Sequence, residues 1–246
     1  MNALPKRLKK EPIIEAIWQA QFDSGQGIGE VLPGILFTEL RKSHPALQLR
    51  RLPSADIPAA IAQIDPNLRF TPKMLMEEPG ASFIWQVGDR VITLNCRRPY
   101  VGWARFKDAV EALSRIVEGS GLIAQLQRHS LRYIDLLTEE LANDLSVLRV
   151  AMNVGDLAIR SRVQMRVEIP DADYLHVVQI ATGAQVNLSG AQLPGTIVDM
   201  ETSPANPVGD WNAVRAQLDE LHDRSKALFF RQILTEESVL KLDPEY

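Results

Sequence analysis

The chain has 246 residues, 46% of them hydrophobic and 24% charged, which is typical of globular proteins rather than of disordered or fibrous ones. Its formal net charge of −4 and its pI of about 5.7 provide no overall attraction to nucleic acid or to anionic membranes. Because Cys96 is the single cysteine, an internal disulfide and a cysteine-based metal cluster are excluded. Cys96 ends an apolar run, so we expect it to be a small core residue.

The sequence predicts a location in the cytoplasm. No stretch approaches the roughly 20 apolar residues of a membrane span. The basic N-terminus is not followed by the apolar core of an export signal. We therefore expect a cytoplasmic protein without membrane contacts, and a solvated arm at Lys6, Arg7, Lys9 and Lys10.

Residues 13–138 carry patterns of two periods, two residues for strands and 3.6 residues for helices. Prolines at positions 53, 58 and 66 interrupt both patterns, so residues 47–66 are expected to form loops and short edge strands. Gly88-Asp89 predicts a tight hairpin turn. The predicted elements are a strand over 13–22, a helix over 28–43, strands over 69–76, 82–87 and 90–96, a helix over 103–117 and a strand over 122–137.

The second half predicts three strands and a long terminal helix. Asp210 is placed to cap that helix. The predicted elements are a short helix over 141–152, strands over 161–169, 174–184 and 196–202, and a helix from 210 to about 234.

This order of elements predicts an α+β fold with antiparallel sheets and packed helices. Residues 1–138 read β-α-β-β-β-α-β, which is a ferredoxin-like order with one extra strand. Residues 139–246 read β-β-β-α and form the second predicted domain. No linker rich in Gly or Ser separates the halves, so we expect them to pack as one compact unit.

Short apolar and aromatic motifs along nearly the whole chain support a family resemblance. They are Pro12-Ile13-Ile14-Glu15-Ala16 leading to Phe22, Tyr100 with Trp103 and Phe106, Leu131-Arg132-Tyr133-Ile134-Asp135, and His222 with Phe229 and Thr235. On these motifs the chain resembles a sporadically distributed prokaryotic family of similar length whose function is unknown. The patchy distribution of such a family implies an accessory gene, such as part of a defence or toxin–antitoxin module.

Motifs for nucleotide, metal and hydrolytic chemistry do not occur in the sequence. Gly25-Gln26-Gly27-Ile28-Gly29 is nearest to a phosphate loop, but it lacks a third correctly spaced glycine and a lysine, which predicts a plain turn. The four histidines, His44, His129, His176 and His222, have no metal-ligand spacing, and no G-x-S-x-G elbow is present. We therefore predict no metal, cofactor or recognisable catalytic motif. Glu168, Asp199 and Glu201 either converge on a cavity or occupy a polar sheet face.

One segment concentrates cations and aromatic rings at the start of the helix predicted over 103–117. Such groups beside a helix N-terminus suit the recognition of phosphate or carboxylate. The following strand can add further cations to the same surface. The candidate anion or nucleic-acid patch is Arg97, Arg98, Tyr100, Trp103, Arg105, Arg128, His129 and Arg132. The alternative is that Trp103, Phe106 and Tyr133 are core residues and that the arginines pair with surface acids.

These observations lead to a primary functional hypothesis and two alternatives. The first is a non-catalytic interaction protein whose partner is another protein, with self-association also possible. The second is an RNA- or nucleotide-binding module, or a nuclease on tandem ferredoxin-like units, although the net charge disfavours nucleic acid. The third is a receptor for a small ligand, with a cavity between the sheet and the C-terminal helix.

Overall fold

The computed structural model describes residues 3–23, 27–123, 125–138, 141–188 and 190–246. It is an α+β protein, as predicted. Its elements are β1 (Arg7–Leu8), β2 (Ile13–Asp23), α1 (Ile28–Leu40), β3 (Gln48–Arg51), α2 (Ala59–Ile64), α3 (Pro66–Arg69), β4 (Met74–Glu77), β5 (Phe83–Val87), β6 (Val91–Arg97), α4 (Trp103–Gly119), β7 (Gln125–Thr138), β8 (Met152–Val154), β9 (Leu157–Ile159), β10 (Gln164–Asp171), β11 (Tyr174–Leu188), β12 (Ala191–Pro204), α5 (Trp211–Leu228), α6 (Glu236–Lys241) and β13 (Pro244–Glu245).

The chain divides into two compact units that are assembled from discontinuous segments. The first unit comprises Met1–Ile14, Arg132–Thr202 and Glu220–Tyr246, and the second comprises Glu15–Leu131 and Ser203–Asp219. Strands β2, β7 and β12 and helix α5 each contribute residues to both units.

In the second unit the strand order is β7-β2-β6-β5-β4-β3. The antiparallel registers place Trp18 opposite Leu94, Leu94 opposite Trp85, and Trp85 opposite Met76. All four side chains are buried and form one apolar row across the sheet. Full burial of such a side chain stabilises a fold by roughly 1.5–3 kcal/mol, and helices α1 and α4 pack on strands β5 and β6.

The opposite face of this sheet carries polar side chains. Asn95 donates from Nδ2 to Glu15 Oε1 at 2.9 Å, and Thr93 donates from Oγ1 to Asn95 Oδ1 at 2.7 Å. Gln19 lies opposite Thr93 in the β2–β6 pair. The alternation of apolar and polar residues is that of antiparallel strands with one face on a core. Cys96, on the apolar parity, is buried as predicted.

In the first unit the strand order is β10-β11-β12-β7. Its core combines apolar residues from these strands, from the segment after β7 and from the C-terminal helices, among them Leu137, Val178, Met200 and Phe229. Strand β1 pairs with β13, so Arg7 and Leu8 are part of a strand rather than of a free arm. No helix in the described ranges is long and apolar enough to cross a membrane.

Most predicted helices and strands are confirmed, with shifted ends. The predicted helix over 141–152 is wrong. Residues Leu145–Val147 form a single 3-10 turn, capped by a hydrogen bond from Ser146 N to Asp144 Oδ1 at 2.8 Å. The following residues form the β8–β9 hairpin, whose turn includes Gly155 at a φ of 58°. Glycine adopts this left-handed conformation without steric cost.

The region rich in proline also differs from the prediction. Strand β3 is the expected short edge strand, but helices α2 and α3 follow it. Strand β4 therefore begins at Met74 rather than at residue 69. Of the glycine-rich turn predicted at residues 25–29, Gly25 and Gln26 lie outside the described residues.

Candidate functional site

The arginines at the start of helix α4 are largely accessible. Arg97, Arg98 and Arg105 are exposed. Arg97 Nη1 lies 3.4 Å from Glu77 Oε2, and Glu77 also pairs with Arg50. Arg98 and Arg105 therefore face solvent, whereas Arg97 forms an ion pair with Glu77.

The aromatic residues of this segment take part in packing. Tyr100 is half-buried, and its ring centroid lies 6.0 Å from that of the buried Phe106. Trp103 donates from Nε1 to Asp219 Oδ1 at 2.9 Å, and Lys107 Nζ lies 2.5 Å from Asp219 Oδ2. The hydrogen bond to Asp219 raises the pKa of Lys107. Trp103 therefore joins helix α4 to helix α5 within the second unit.

Arg128 and His129 make internal contacts in the second unit. Arg128 donates from Nη2 to Ser203 Oγ at 3.1 Å. His129 is 1% exposed, with Nε2 2.9 Å from Gln217 Oε1. Burial lowers the pKa of His129 to about 4 against the opposing effect of the Gln217 hydrogen bond. The imidazole is therefore uncharged near neutral pH and adds no positive charge to the predicted patch.

Arg132, the last predicted patch residue, belongs to the first unit. It donates from Nε to Asp199 Oδ1 at 2.7 Å and from Nη2 to Asp199 Oδ2. Gln179 Nε2 lies 3.4 Å from the same Oδ2. This bidentate geometry is the strong form of an arginine–carboxylate pair. The Arg132 guanidinium is therefore bound to Asp199. That the eight residues of the candidate patch form one surface stays a prediction.

Asp135 is a buried carboxyl group that the sequence analysis did not select. It is 2% exposed, and its Oδ1 has no hydrogen-bond partner among the described residues. Burial, together with the smaller effects of the carboxylates of Glu11 and Asp199, raises the pKa of Asp135 to about 8. The group therefore holds a proton at neutral pH. The sequence did contain a signal for the burial of Asp135, since this residue lies on the same side of strand β7 as the buried Leu131 and Leu137.

One network, buried except for Asp171, has the residue types of a hydrolytic triad. His176 Nε2 lies 3.4 Å from Asp171 Oδ2, and His176 Nδ1 lies 2.8 Å from Thr202 Oγ1. Ser225 donates to Thr202 Oγ1 at 2.7 Å. Both hydroxyl groups are enclosed, with Thr202 at 0% and Ser225 at 1% exposure. A nucleophile has to reach a substrate carbonyl, so this arrangement stabilises the fold and offers no catalytic hydroxyl.

The acids Glu168, Asp199 and Glu201 differ in burial, and Glu201 is half-buried. Glu168 is exposed and pairs with Arg166 at 2.7 Å, whereas Asp199 is nearly buried against Arg132. A shallow cleft of about 450 Å³ includes Asp199 and Arg166 in its lining. Within the described residues, no group of three or more His, Cys, Asp or Glu side chains is arranged to hold a metal ion.

The β8–β9 hairpin presents apolar side chains to solvent. Its register pairs Met152 with Ile159 and Val154 with Leu157. Residues opposite one another share a face, and alternate residues of one strand do so too, so these four side chains form one apolar face. Met152, Val154 and Leu157 are 37%, 60% and 69% exposed. The other face carries Asn153 opposite Ala158.

The comparisons assign no family to this chain. No family model and no curated protein matches it. The functional proposal therefore depends on the geometry of the described residues, among which the hairpin exposes several apolar side chains on one face.

Proposed function

We propose that the protein is a non-catalytic interaction protein that binds another protein chain through the apolar face of the β8–β9 hairpin. The observation that carries this proposal is the exposure of Met152, Val154 and Leu157 on one face of a two-stranded ribbon. A hairpin of only two strands is marginally stable in water unless its apolar face is covered. Clustered exposed apolar side chains are typical of interaction surfaces.

The residues at the base of the hairpin are held by the first unit, which favours an ordered hairpin over an irregular loop. Leu145 N donates to Arg160 O at 2.8 Å immediately after strand β9. Val150 and Ile159 are partly buried against the core of the first unit. The base is thus held by the core while Val154 and Leu157 remain uncovered.

The environments of the chemically capable residues support a non-catalytic role. Asp135, His129 and Thr202 are enclosed, so a substrate does not reach them in this structure. Arg132 is engaged by Asp199. General acid–base and nucleophilic catalysis both require a group within hydrogen-bond reach of the substrate.

The finer fold assignment and the biological setting are also part of this proposal. The order β7-β2-β6-β5, with α1 after β2 and α4 after β6, supports a ferredoxin-like arrangement in the second unit. The family resemblance supports a role beside another factor in a defence or toxin–antitoxin module, and the cytoplasmic location expected from the N-terminal sequence is part of the same proposal.

Affinity purification from the native cells tests the proposal. A tagged wild-type chain is expected to retain one protein partner in a fixed ratio. Val154→Asp/Leu157→Asp should lose that partner, because it places two charges on the apolar face. The matched control Asn153→Asp/Ala158→Asp adds the same charge to the opposite face and should retain it. Equal recovery of the partner with both double variants would contradict the proposal.

Nucleic-acid binding is a second candidate function. It is favoured by the exposure of Arg98, which precedes helix α4, and of Arg105, which lies in the first turn of that helix. Phosphate contacts make affinity fall steeply as the salt concentration rises. Fluorescence anisotropy with single-stranded RNA should then detect binding that Arg98→Ala/Arg105→Ala weakens. Binding that is absent at low salt, or unaffected by this variant, would remove the candidate.

A further inference from the structure

The large hydrophobic side chains that the described part of the first unit exposes fall in two segments. One is the β8–β9 hairpin, with Met152, Val154 and Leu157. The other is the C-terminal segment, residues 236–246, in which Leu240 is 68% and Tyr246 is 61% exposed. Scattered single apolar residues are ordinary on protein surfaces, whereas the three exposed on one face of the hairpin call for a reason.

The two segments carry opposite charge. Residues 149–162 contain three arginines and one aspartate, a net charge of +2. Residues 236–246 contain three glutamates, one aspartate and one lysine, a net charge of −3 at the side chains. Within the chain, Arg149 pairs with Glu236 at 3.4 Å and Lys241 with Glu237 at 2.8 Å. Arg160, Arg162, Glu236 and Glu237 are nevertheless exposed. Each segment therefore offers apolar side chains beside charges that complement the other, as in electrostatically matched interfaces.

The bases of the two segments are neighbours in the fold. Arg149 donates from Nε to Leu234 O at 2.9 Å, and Leu148 forms a β-bridge with Leu234. Leu157 and Leu240 nevertheless both remain exposed, so neither side chain is covered within the chain. The pair of segments forms one surface with a basic apolar part and an acidic apolar part.

We propose that this surface binds a second copy of the chain, with the hairpin of each copy on the C-terminal segment of the other. This inference rests on the proposed function, because it names the partner of the same apolar face. A surface with two complementary parts is self-complementary about a twofold axis, which is the commonest symmetry of protein dimers.

The size of the hairpin also favours reciprocal contact. A standard interface buries about 800 Å² on each partner, and three partly exposed side chains supply only a fraction of that area. In the reciprocal dimer each copy contributes its hairpin and its C-terminal segment, so the contact area on each copy is roughly doubled.

Sedimentation equilibrium tests the proposal on the full chain. The wild type at about 100 μM is expected to sediment at twice the 27.5 kDa of one chain. Val154→Asp/Leu157→Asp should sediment as a monomer, and so should Leu240→Asp/Tyr246→Asp. The control Asn153→Asp/Ala158→Asp should remain a dimer. Circular dichroism of each variant verifies that it is folded, which is expected because the substituted side chains are exposed.

Mixing the two monomeric variants distinguishes reciprocal exchange from other dimers. The hairpin variant keeps an intact C-terminal segment, and the C-terminal variant keeps an intact hairpin. The mixture should form a heterodimer with one intact contact, weaker than the wild-type dimer because half of the contact area is lost, although neither variant self-associates. A mixture that stays monomeric, or a monomeric wild type, overturns the proposal. A partner that depends on the hairpin in affinity purification would still uphold the proposed function in that case.

Discussion

Val154 and Leu157 face one another across the turn of the β8–β9 hairpin, and each leaves more than half of its side chain in solvent. Core strands of the same unit bury residues of this type, such as Val178 and Val198. Val178 and Val198 therefore stabilise the fold, whereas Val154 and Leu157 are available to a partner. Substitution at Val154 and Leu157 should therefore affect binding much more than folding.

The first prediction concerns the buried carboxyl group of Asp135. Its pKa is raised from 3.8 to about 8 in the folded protein, so between these values the folded state holds a proton that the unfolded state has lost. Stability should fall as the pH rises through this window and become independent of this group above about pH 8. Asp135→Asn should flatten the decline and stabilise the protein at about pH 8 by on the order of a few kcal/mol.

Urea unfolding at about pH 5 and about pH 8 measures this effect. The control is Asp173→Asn, since Asp173 is exposed in the same unit. The control should leave the pH dependence of wild type unchanged. Identical pH dependence in wild type and Asp135→Asn would contradict the neutral state of Asp135.

The second prediction concerns the pair between Arg132 and Asp199. Arg132→Met leaves a nearly buried carboxylate without its bidentate partner. Breaking a fully buried pair costs roughly 3–5 kcal/mol, but the Arg132 side chain is 37% exposed, so a loss of roughly 1–3 kcal/mol is expected. Chemical unfolding provides the measurement. Arg166→Met breaks an exposed pair with Glu168 and should cost less than about 1 kcal/mol; equal losses would contradict the account.

The third prediction concerns the hydroxyl network around Thr202. Thr202→Val removes the acceptor of Ser225 and the partner of His176 Nδ1, leaving buried polar groups unsatisfied. A loss of roughly 1–3 kcal/mol in the free energy of unfolding is expected. A fluorophosphonate probe should label neither Thr202 nor Ser225 in the folded protein, because both are enclosed. Labelling at either residue, located by mass spectrometry, would reopen the hydrolytic interpretation.

The fourth prediction concerns the approach of strand β12 to strand β7 at Gly195. A Cβ atom on Gly195 would lie 2.4 Å from the backbone oxygen of Leu137. Gly195→Ala should therefore cost roughly 1–3 kcal/mol through a forced backbone shift. Gly209→Ala is the control, because a Cβ atom at Gly209 meets nothing within 4 Å. Thermal unfolding compares the two variants, and a stability change no larger than that of the control would contradict the close approach.

Periodic apolar patterns made much of the fold predictable from sequence. Helical spacing in residues 103–117 predicted α4, because a buried face dictates the period of the pattern. The pattern of residues 13–22 also suited a short helix, and their aromatic and β-branched content favoured the strand β2. The helix cap at Asp210 was also predictable, since Ala213 N does donate to Asp210 Oδ1 at 2.8 Å.

The hairpin and the buried carboxyl group were harder to predict. Leu141, Leu145 and Leu148 are spaced like a helix, yet they pack into the core around a single 3-10 turn and form no α-helix there. The hairpin alternates only weakly, because Ala158 stands on its polar face. The protonated state of Asp135 depends on packing from other segments, such as that of Glu11, which no local pattern encodes.

A photocrosslinking amino acid in place of Leu157, introduced in the native cells, tests the central claim most directly. Leu157 lies on the apolar face of the hairpin, and the same substitution at Asn153 samples the opposite face. The account predicts one discrete protein adduct at position 157, absent at position 153 and lost when Val154→Asp is added. An adduct of twice the mass of one chain would identify the second copy as the partner. Irradiation that yields no protein adduct at position 157, or the same adducts at both positions, would contradict the claim that this face binds a protein chain.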